Sequence, residues 1–486
     1  MENPINQLEI EKRIADPIHG LIRITEMESK ILETSYFQRL RHVRQLGIAE
    51  YVYPGATHSR FTHSLGVLHN VTLMFDSAYK NWSRNSDICG EIEAENVFSS
   101  RALEITRLAA LCHDLGHLPF SHNLEPAIEW MAQSKLIKES FKHEQISSAV
   151  IHKKLGHILD DYTKDVAGLI EGDYFNIETP MFSNFLISSA IDADRMDYLF
   201  RDSVYCGVDY GRFDKPRLLD SLYPYRIKIG GQHYDAMAIH NKGIEAVEQF
   251  LLARHRMHQT IYFNRTVVGF EAGLRRAYYM ISANDPPWEL PDSYLEDPET
   301  LLAFDDPAFF SNLKASLSKA DSWLKEPLLK RISIRKMGPF YYTSTGNIQS
   351  DEVDLEKFKL LKELQEQLER PSEHWYDSDH WMYAESKKQS LVKPLPKSIN
   401  KKYDEFADAK DLKNTILLIN NQGKLDDPTH RHYGHTFLPY ISGHTYHRFL
   451  FFCHKDNTEK LEVAIKPLLD RFEEYQWQQS SLRSYF

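Results

Sequence analysis

Between residues 62 and 80 the apolar positions Leu65, Leu68, Val71, Leu73 and Met74 return mostly at steps of three and four, the spacing that gathers side chains on one face of an α-helix. Leu103, Ile105, Leu108, Leu111 and Cys112 repeat the pattern over 103–115, and Ile244, Val247, Phe250, Leu251 and Met257 repeat it over 242–262. The segment Arg226 to Tyr234 instead alternates around Gly230-Gly231 and predicts a β-hairpin. The run Asp285-Pro286-Pro287-Trp288-Glu289-Leu290-Pro291 is a break, and charge-rich helices are expected from there to about 370. Within them, 351–370 sets Leu355, Phe358, Leu361 and Leu364 among charges of both signs and reads as a solvated amphipathic helix. Thr415–Ile419 and Arg448–Cys453 read as strands and 460–475 as a helix. The fold class expected is therefore mainly α: a helical core with a small hairpin, then a C-terminal α+β region. The domains expected are a core over 1–280, a helical extension over 281–370, and a C-terminal region over 371–486 whose role the sequence leaves open.

Composition changes this picture little. A chain of 486 residues, 42% hydrophobic and 26% charged, can bury a large core. Its formal charge of −11 opposes polynucleotide binding in the absence of a local basic groove, and none is visible. Four scattered cysteines without CxxC spacing read as reduced thiols. With no leader-like N-terminus and no long apolar run, the expectation is a cytoplasmic protein without a membrane span.

Candidate chemistry lies in the run Leu111-Cys112-His113-Asp114-Leu115-Gly116-His117-Leu118-Pro119-Phe120-Ser121-His122. An unpaired carboxylate among apolar residues is costly, so His113-Asp114 asks for a partner. Arg60-Phe61-Thr62-His63 upstream and Asp192-Ala193-Asp194-Arg195-Met196-Asp197-Tyr198 downstream supply candidates. A divalent ion that keeps a position open for water takes a few imidazole and carboxylate donors rather than a closed thiolate shell. His63, His113, Asp114 and Asp194 would give two nitrogens and two oxygens, a set suited to metal-assisted hydrolysis of a phosphate ester. A helix carrying His113 and His117 at i, i+4 would aim both rings along one face. Each residue also has an ordinary use: Asp194 can pair with Arg195 or Arg201, and His143-Glu144 can be a solvated helix face. The histidines at 430, 432, 435, 444 and 447 read as loop polarity rather than a second metal site.

Taken in order, Asp16-Pro17-Ile18-His19-Gly20, Phe37-Gln38-Arg39-Leu40-Arg41, Gln45-Leu46-Gly47, Tyr53-Pro54-Gly55-Ala56, Arg60-Phe61-Thr62-His63, His113-Asp114, Lys142-His143-Glu144, Asp194-Arg195-Met196-Asp197-Tyr198 and Arg201-Asp202 resemble the HD-domain deoxynucleoside triphosphate triphosphohydrolases. The resemblance covers roughly 14–270 and includes the bacterial enzymes and the catalytic core of the vertebrate SAM- and HD-domain enzyme. It implies an HD-domain helical core and one divalent metal, iron, manganese, zinc or magnesium, on His63, His113, Asp114 and Asp194. It implies that Arg60 contacts the α-phosphate, that His117, His122 and His143 surround the phosphates with His122 as acid, and that Glu144 orients His122 or a neighbour. Gln45 and Asp202 would bind the sugar 3′-hydroxyl, Leu46 and Tyr262 would crowd the 2′ position, Tyr198 would pack near the sugar, and Arg195 would contact the triphosphate. Arg195 stands where the vertebrate enzyme carries Lys, and a planar fork is not equivalent to a point charge.

Water attack at the α-phosphorus would then release a deoxynucleoside and inorganic triphosphate. The alternatives are another HD phosphohydrolase, acting on nucleoside monophosphates or on cyclic or alarmone nucleotides, and a nucleotide sensor without catalysis. The resemblance also implies a homo-oligomer, dimer or tetramer. A nucleotide effector is supported only in part: Gln38 and Arg41 match its site and Glu33 replaces an Asp, but Ala15 replaces an Asn and Asn264-Arg265 replaces His-Lys. For Arg39 and Arg41 the expectation is a helix face paired with acids.

Overall fold

A computed structural model describes residues 2–173, 177–229, 232–284, 286–319, 322, 324–331 and 415–426, together with the backbone of strands at 335–345, 381–387 and 444–453. An antiparallel hairpin, β1 (Lys12–Asp16) and β2 (Gly20–Ile24), leads into α1 (Glu26–Leu32). Glu28 closes a capping box at the start of α1 and also forms a buried two-pronged ion pair with Arg107, at 2.7 and 2.8 Å. That pair ties α1 to the helical core.

The core is built on α2 (Arg60–Arg84), which packs against α3 (Ser100–Cys112) and, further along the chain, the helix Ala193–Cys206. Between these come α4 (Glu125–Gln133), α5 (His143–Val150), α6 (Thr163–Glu171) and α7 (Met181–Ile187), and α8 spans Ala193–Cys206. Asp192 caps α8 by accepting from the Arg195 amide at 2.8 Å. Toward its far end α2 is wedged by aromatic rings, with Phe75 against Phe98 and Phe182 at centroid distances of 5.5 and 6.2 Å. Burial of such rings anchors the helix whose first turn carries Arg60 and His63.

The α2 helix outruns the expected 62–80 at both ends. The helix expected over 103–115 instead stops at Cys112, so His113 and His117 do not share a helical face. Leu115 and His117 bond back to Cys112 and Asp114 in tight turns, and Gly116 lies so close to α5 that a Cβ there would fall 2.2 Å from the His143 carbonyl oxygen. The expected hairpin is present as β3 (Leu222–Ile229) and β4 (Gln232–His240), in antiparallel register from Leu222↔Ile239 to Ile229↔Gln232. Then α9 (Ile244–Met257) runs into a π turn at His258–Tyr262, and α10 spans Arg265–Ser282.

Two compact units divide the chain: 1–262 with 278–313 and 392–442, and 263–277 with 314–391 and 443–486. In the first, β7 (Leu418–Ile419) joins β4 in parallel, so the strand expected at 415–419 is shorter than its apolar run, and β8 (Leu425–Asp426) pairs with β7. In the second, β9 (His444–Cys453) lies between β5 (Arg335–Thr345) and β6 (Trp381–Lys387), both antiparallel to it. The strand expected at 448–453 belongs to β9, as do positions 444 and 447 of the late histidine group. The helices expected at 351–370 and 460–475, and His430, His432 and His435, lie outside the described residues. The mainly helical class with small sheets is what the chain adopts. Among the described residues, no helix is long and apolar enough to cross a membrane.

Candidate active site

The first turn of α2, the turn after α3 and the first turn of α8 meet at one point. His63 Nε2 lies 2.9 Å from Asp194 Oδ1 and 3.7 Å from Asp114 Oδ2, and His113 Nε2 lies 3.1 Å from Asp114 Oδ1. The rings of His63 and His113 stand edge to face, 5.4 Å between centroids. Each imidazole has its second nitrogen anchored: His63 Nδ1 on Asp197 Oδ2 at 2.8 Å, His113 Nδ1 on the Ala110 carbonyl at 2.8 Å. Anchoring one nitrogen on an oxygen acceptor fixes the tautomer that leaves the other as a lone-pair donor. His113 Nε2 is buried and makes no hydrogen bond among the described residues.

His63, His113 and Asp194 bring one donor atom each within 4.8 Å of one another and fit a divalent cation, with Asp114 beside them at 3.1 Å from the orphaned His113 Nε2. Electrostatics point the same way. Burial alone would depress His63, but Asp194, Asp197 and Asp114 outweigh it and lift its pKa to about 10. Carboxylates that would keep a proton there would also attract a metal cation. Burial would raise Asp114, yet Arg60 and the neighbouring histidines hold it well below the ordinary carboxylate range. Asp194 keeps to His63 because its alternatives are taken: Arg195 turns its guanidinium onto Asp192 and the Ser189 carbonyl, and Arg201 binds Asp197 and Asp16 at 2.8 and 2.9 Å. In this arrangement Arg195 faces Asp192 rather than the cleft.

Beside this point His117, His122 and His143 cluster around a carboxylate. His117 stacks on His143 with centroids 3.8 Å apart, and His122 meets His117 and His143 edge on at 4.6 and 5.1 Å. His122 Nδ1 and His143 Nδ1 both bond to Glu125 Oε1, at 2.8 and 2.9 Å. Glu144 Oε2 stands 3.3 Å from His143 Nδ1, while the hydrogen bonds to His122 and His143 are made by Glu125. His143 is no solvated face; its ring is largely covered. The crowding of protein around His122 lowers its pKa and Glu125 more than reverses this, giving a net rise, whereas burial and the Arg60 charge hold His117 well below the usual imidazole value. His122 is thus the ring disposed to carry a proton, and His117 stays neutral. Arg60 bonds Asp114 Oδ2 and Ser121 Oγ, both at 2.7 Å. Phe120 and Ser121 take positive φ, 56° and 60°, a conformation costing on the order of 1–3 kcal/mol per non-glycine residue.

A third group lines the other side. Asp202 receives Tyr262 Oη on Oδ2 and lies against His58 Nε2 through Oδ1, both at 2.7 Å. The Gln45 amide donates to the His58 carbonyl at 3.0 Å, while Gln45 Oε1 is buried and unpartnered among the described residues. Leu46 follows, half-buried, and Tyr198 stands 6.0 Å from Tyr262 between ring centroids. The residues without an assigned role in the sequence are Asp197, Glu125, His58 and Asp192. Glu125 three residues after His122, and Asp197 three after Asp194 on α8, are the local signals that were available. Among the described residues Arg39 and Arg41 are not paired with acids: Arg39 is buried on the carbonyls of His117 and Phe304, and Arg41 lies on Gln38 and over the Phe61 ring.

Residues 60–202 match the HD domain, the domain of a metal-dependent phosphohydrolase superfamily. It is 33% identical over 343 residues to an uncharacterized protein of Methanocaldococcus jannaschii, covering 70% of this chain and 62% of that one. It is 29% identical over 335 residues to a deoxynucleoside triphosphate triphosphohydrolase SAMHD1 homolog of Dictyostelium discoideum, covering 66% of this chain and 56% of that one. The chain thus spans a little over half the length of these relatives. Its fold is shared with a hypothetical protein from Aquifex aeolicus, with a TM-score of 0.63 at 23% identity over 92% of this chain and 98% of that one.

Proposed function

We propose that the chain hydrolyses deoxynucleoside triphosphates to a deoxynucleoside and inorganic triphosphate, with one divalent metal held by His63, His113, Asp114 and Asp194. The observation carrying this reading is the convergence of those four side chains, His63 Nε2 being 2.9 Å from Asp194 and 3.7 Å from Asp114, beside a second group suited to phosphates and a third suited to a sugar. When bound, the ion supplies charge that polarises the phosphoryl group and acidifies water. Arg60 offers its guanidinium to the α-phosphate once a substrate competes for it. His122, held by Glu125, donates its proton to the departing 5′ oxygen as water attacks the phosphorus, so the nucleoside leaves as the alcohol and the water oxygen stays with the triphosphate. His117 and His143 stack beside it as a wall against the phosphates.

On the sugar side Asp202 accepts from the 3′-hydroxyl and Gln45 donates to it, Leu46 and Tyr262 fill the space a 2′-hydroxyl needs, and Tyr198 packs near the sugar. Arg195 joins the triphosphate by leaving Asp192. Assembly into a homo-oligomer belongs to the same reading and is measured by light scattering. Chromatography of products from metal-loaded protein, against deoxynucleoside triphosphates, ribonucleotides, monophosphates and cyclic nucleotides, with and without a second nucleotide, tests it. Deoxynucleoside and triphosphate in equal amounts support it. Monophosphate or diester cleavage alone would move the chain to another HD phosphohydrolase activity, and binding without turnover to a sensor.

A further inference from the structure

Asp306 lies outside the HD match, yet it is buried against the loop that carries His117 and His122. Its Oδ1 accepts from the Phe120 amide at 2.8 Å and its Oδ2 from the Arg44 amide at 2.9 Å. Two residues earlier, the Phe304 carbonyl accepts from Arg39, whose Nη2 also donates to the His117 carbonyl at 2.9 Å. Segment 304–306 therefore holds the 117–121 loop at two points, at His117 through Arg39 and at Phe120 directly. Phe120 is the first of two consecutive left-handed residues, Ser121 the second, and His122 follows directly after them. Neither is glycine, so the conformation carries a cost that the hydrogen bonds of the loop and its surroundings must offset.

The two partners of Asp306 are not equally dependent on it. The Arg44 side is held independently, by the Arg60 amide on the Val43 carbonyl at 2.9 Å and the Gln45 amide on the His58 carbonyl at 3.0 Å. The Phe120 side has no such second tie to its amide: Ser121 Oγ reaches the Arg44 carbonyl at 2.6 Å, but the Phe120 N–H bonds to Asp306 alone among the described residues. Burial pushes the Asp306 carboxyl up to about 7 against the pull of the two amides and of Arg39 and Arg44, so both oxygens are free to accept above neutrality.

We infer that Asp306 is a positioning residue, supplied from beyond the HD domain, that fixes the left-handed turn and through it the approach of His122 to the substrate. This rests on the reading of His122 as the acid of the proposed reaction. Asp306→Ala removes both acceptors, whereas Asp306→Asn keeps one oxygen for Phe120 while its amide group meets the Arg44 N–H. Both variants are prepared with metal, and metal content, kcat, KM and a crystal structure are obtained for each. Metal content is expected to match wild type, because no metal donor touches Asp306. A misplacement of His122 of about 1 Å is expected to lower kcat about a hundredfold for Ala and less for Asn, with KM changing less than about twofold. In the Ala crystal structure Phe120 and Ser121 leave the left-handed region and the contact between His122 and Glu125 opens. Unchanged kcat with full metal, a loss of kcat that follows lost metal, or an unchanged loop in the crystal structure would each overturn the inference. If wild type turns over no nucleotide, the proposed reaction falls and the loop geometry alone still decides the role of Asp306.

Discussion

His63 illustrates how much of this site is set by single contacts. One nitrogen faces the proposed metal position while the other is held by Asp197, itself clasped by His19 at 2.6 Å and by Arg201. A carboxylate behind a metal-binding imidazole raises its basicity and fixes its ring. Asp197→Asn is expected to weaken metal affinity by about 10–100-fold, read by titration calorimetry; unaltered affinity would remove Asp197 from the account. His122→Gln tests the acid: a fall in kcat of about 10²–10⁴-fold with metal affinity intact is expected, and a loss of metal instead would make His122 a ligand. The four proposed donors were legible because they sit in compact motifs. Glu125 and His58 were not, since only the fold reveals which carboxylate or imidazole reaches a given atom.

At the scale of elements, two helices can meet so closely only because one of them lacks a side chain. A Cβ at Gly66, one turn beyond His63 on α2, would fall 1.9 Å from Asp197 Oδ1 and 2.6 Å from Arg201 Nη2 on α8. Gly66→Ala is expected to destabilise the protein by about 1–3 kcal/mol in urea unfolding and to weaken metal binding with it; a neutral result would mean that α8 is free to shift. Also on α2, the His69 ring lies tilted against His19 with centroids 4.8 Å apart, and its burial, with the charges of His19 and Lys215 adding to it, lowers its pKa to about 4. A base depressed in the folded state binds its proton more readily when unfolded. Its contribution is therefore whole above the ordinary value of 6.5 and is lost as pH falls from there through about 4. Stability should decline over that window, and less steeply in His69→Phe; equal slopes in the two proteins would count against it. The helices of the core were readable from their apolar spacing. The end of α3 was not, because periodicity continued through Leu115 while close packing of Gly116 on α5 stopped the helix at Cys112.

For the molecule as a whole, a formal charge of −11 is adverse to a triphosphate, so attraction must be local, through a bound dication and Arg60. Binding that requires the folded arrangement must also stabilise it. A metal at 100 times its dissociation constant adds about 2.7 kcal/mol, so chelation should lower the melting temperature, and Asp194→Ala should abolish the difference between chelated and metal-loaded protein. Equal melting temperatures in wild type with and without metal would argue that the four side chains hold no ion. The sequence revealed the mainly helical class and the metal point, but not the support that segment 304–306 gives from beyond the HD match. Such contacts link positions far apart in the chain and leave no periodic trace. The central claim is tested most directly by letting the metal-loaded protein act on a deoxynucleoside triphosphate in heavy-oxygen water and weighing the products. The account predicts the heavy atom in inorganic triphosphate and none in the nucleoside. Label in the nucleoside, or a monophosphate and pyrophosphate as products, would contradict it.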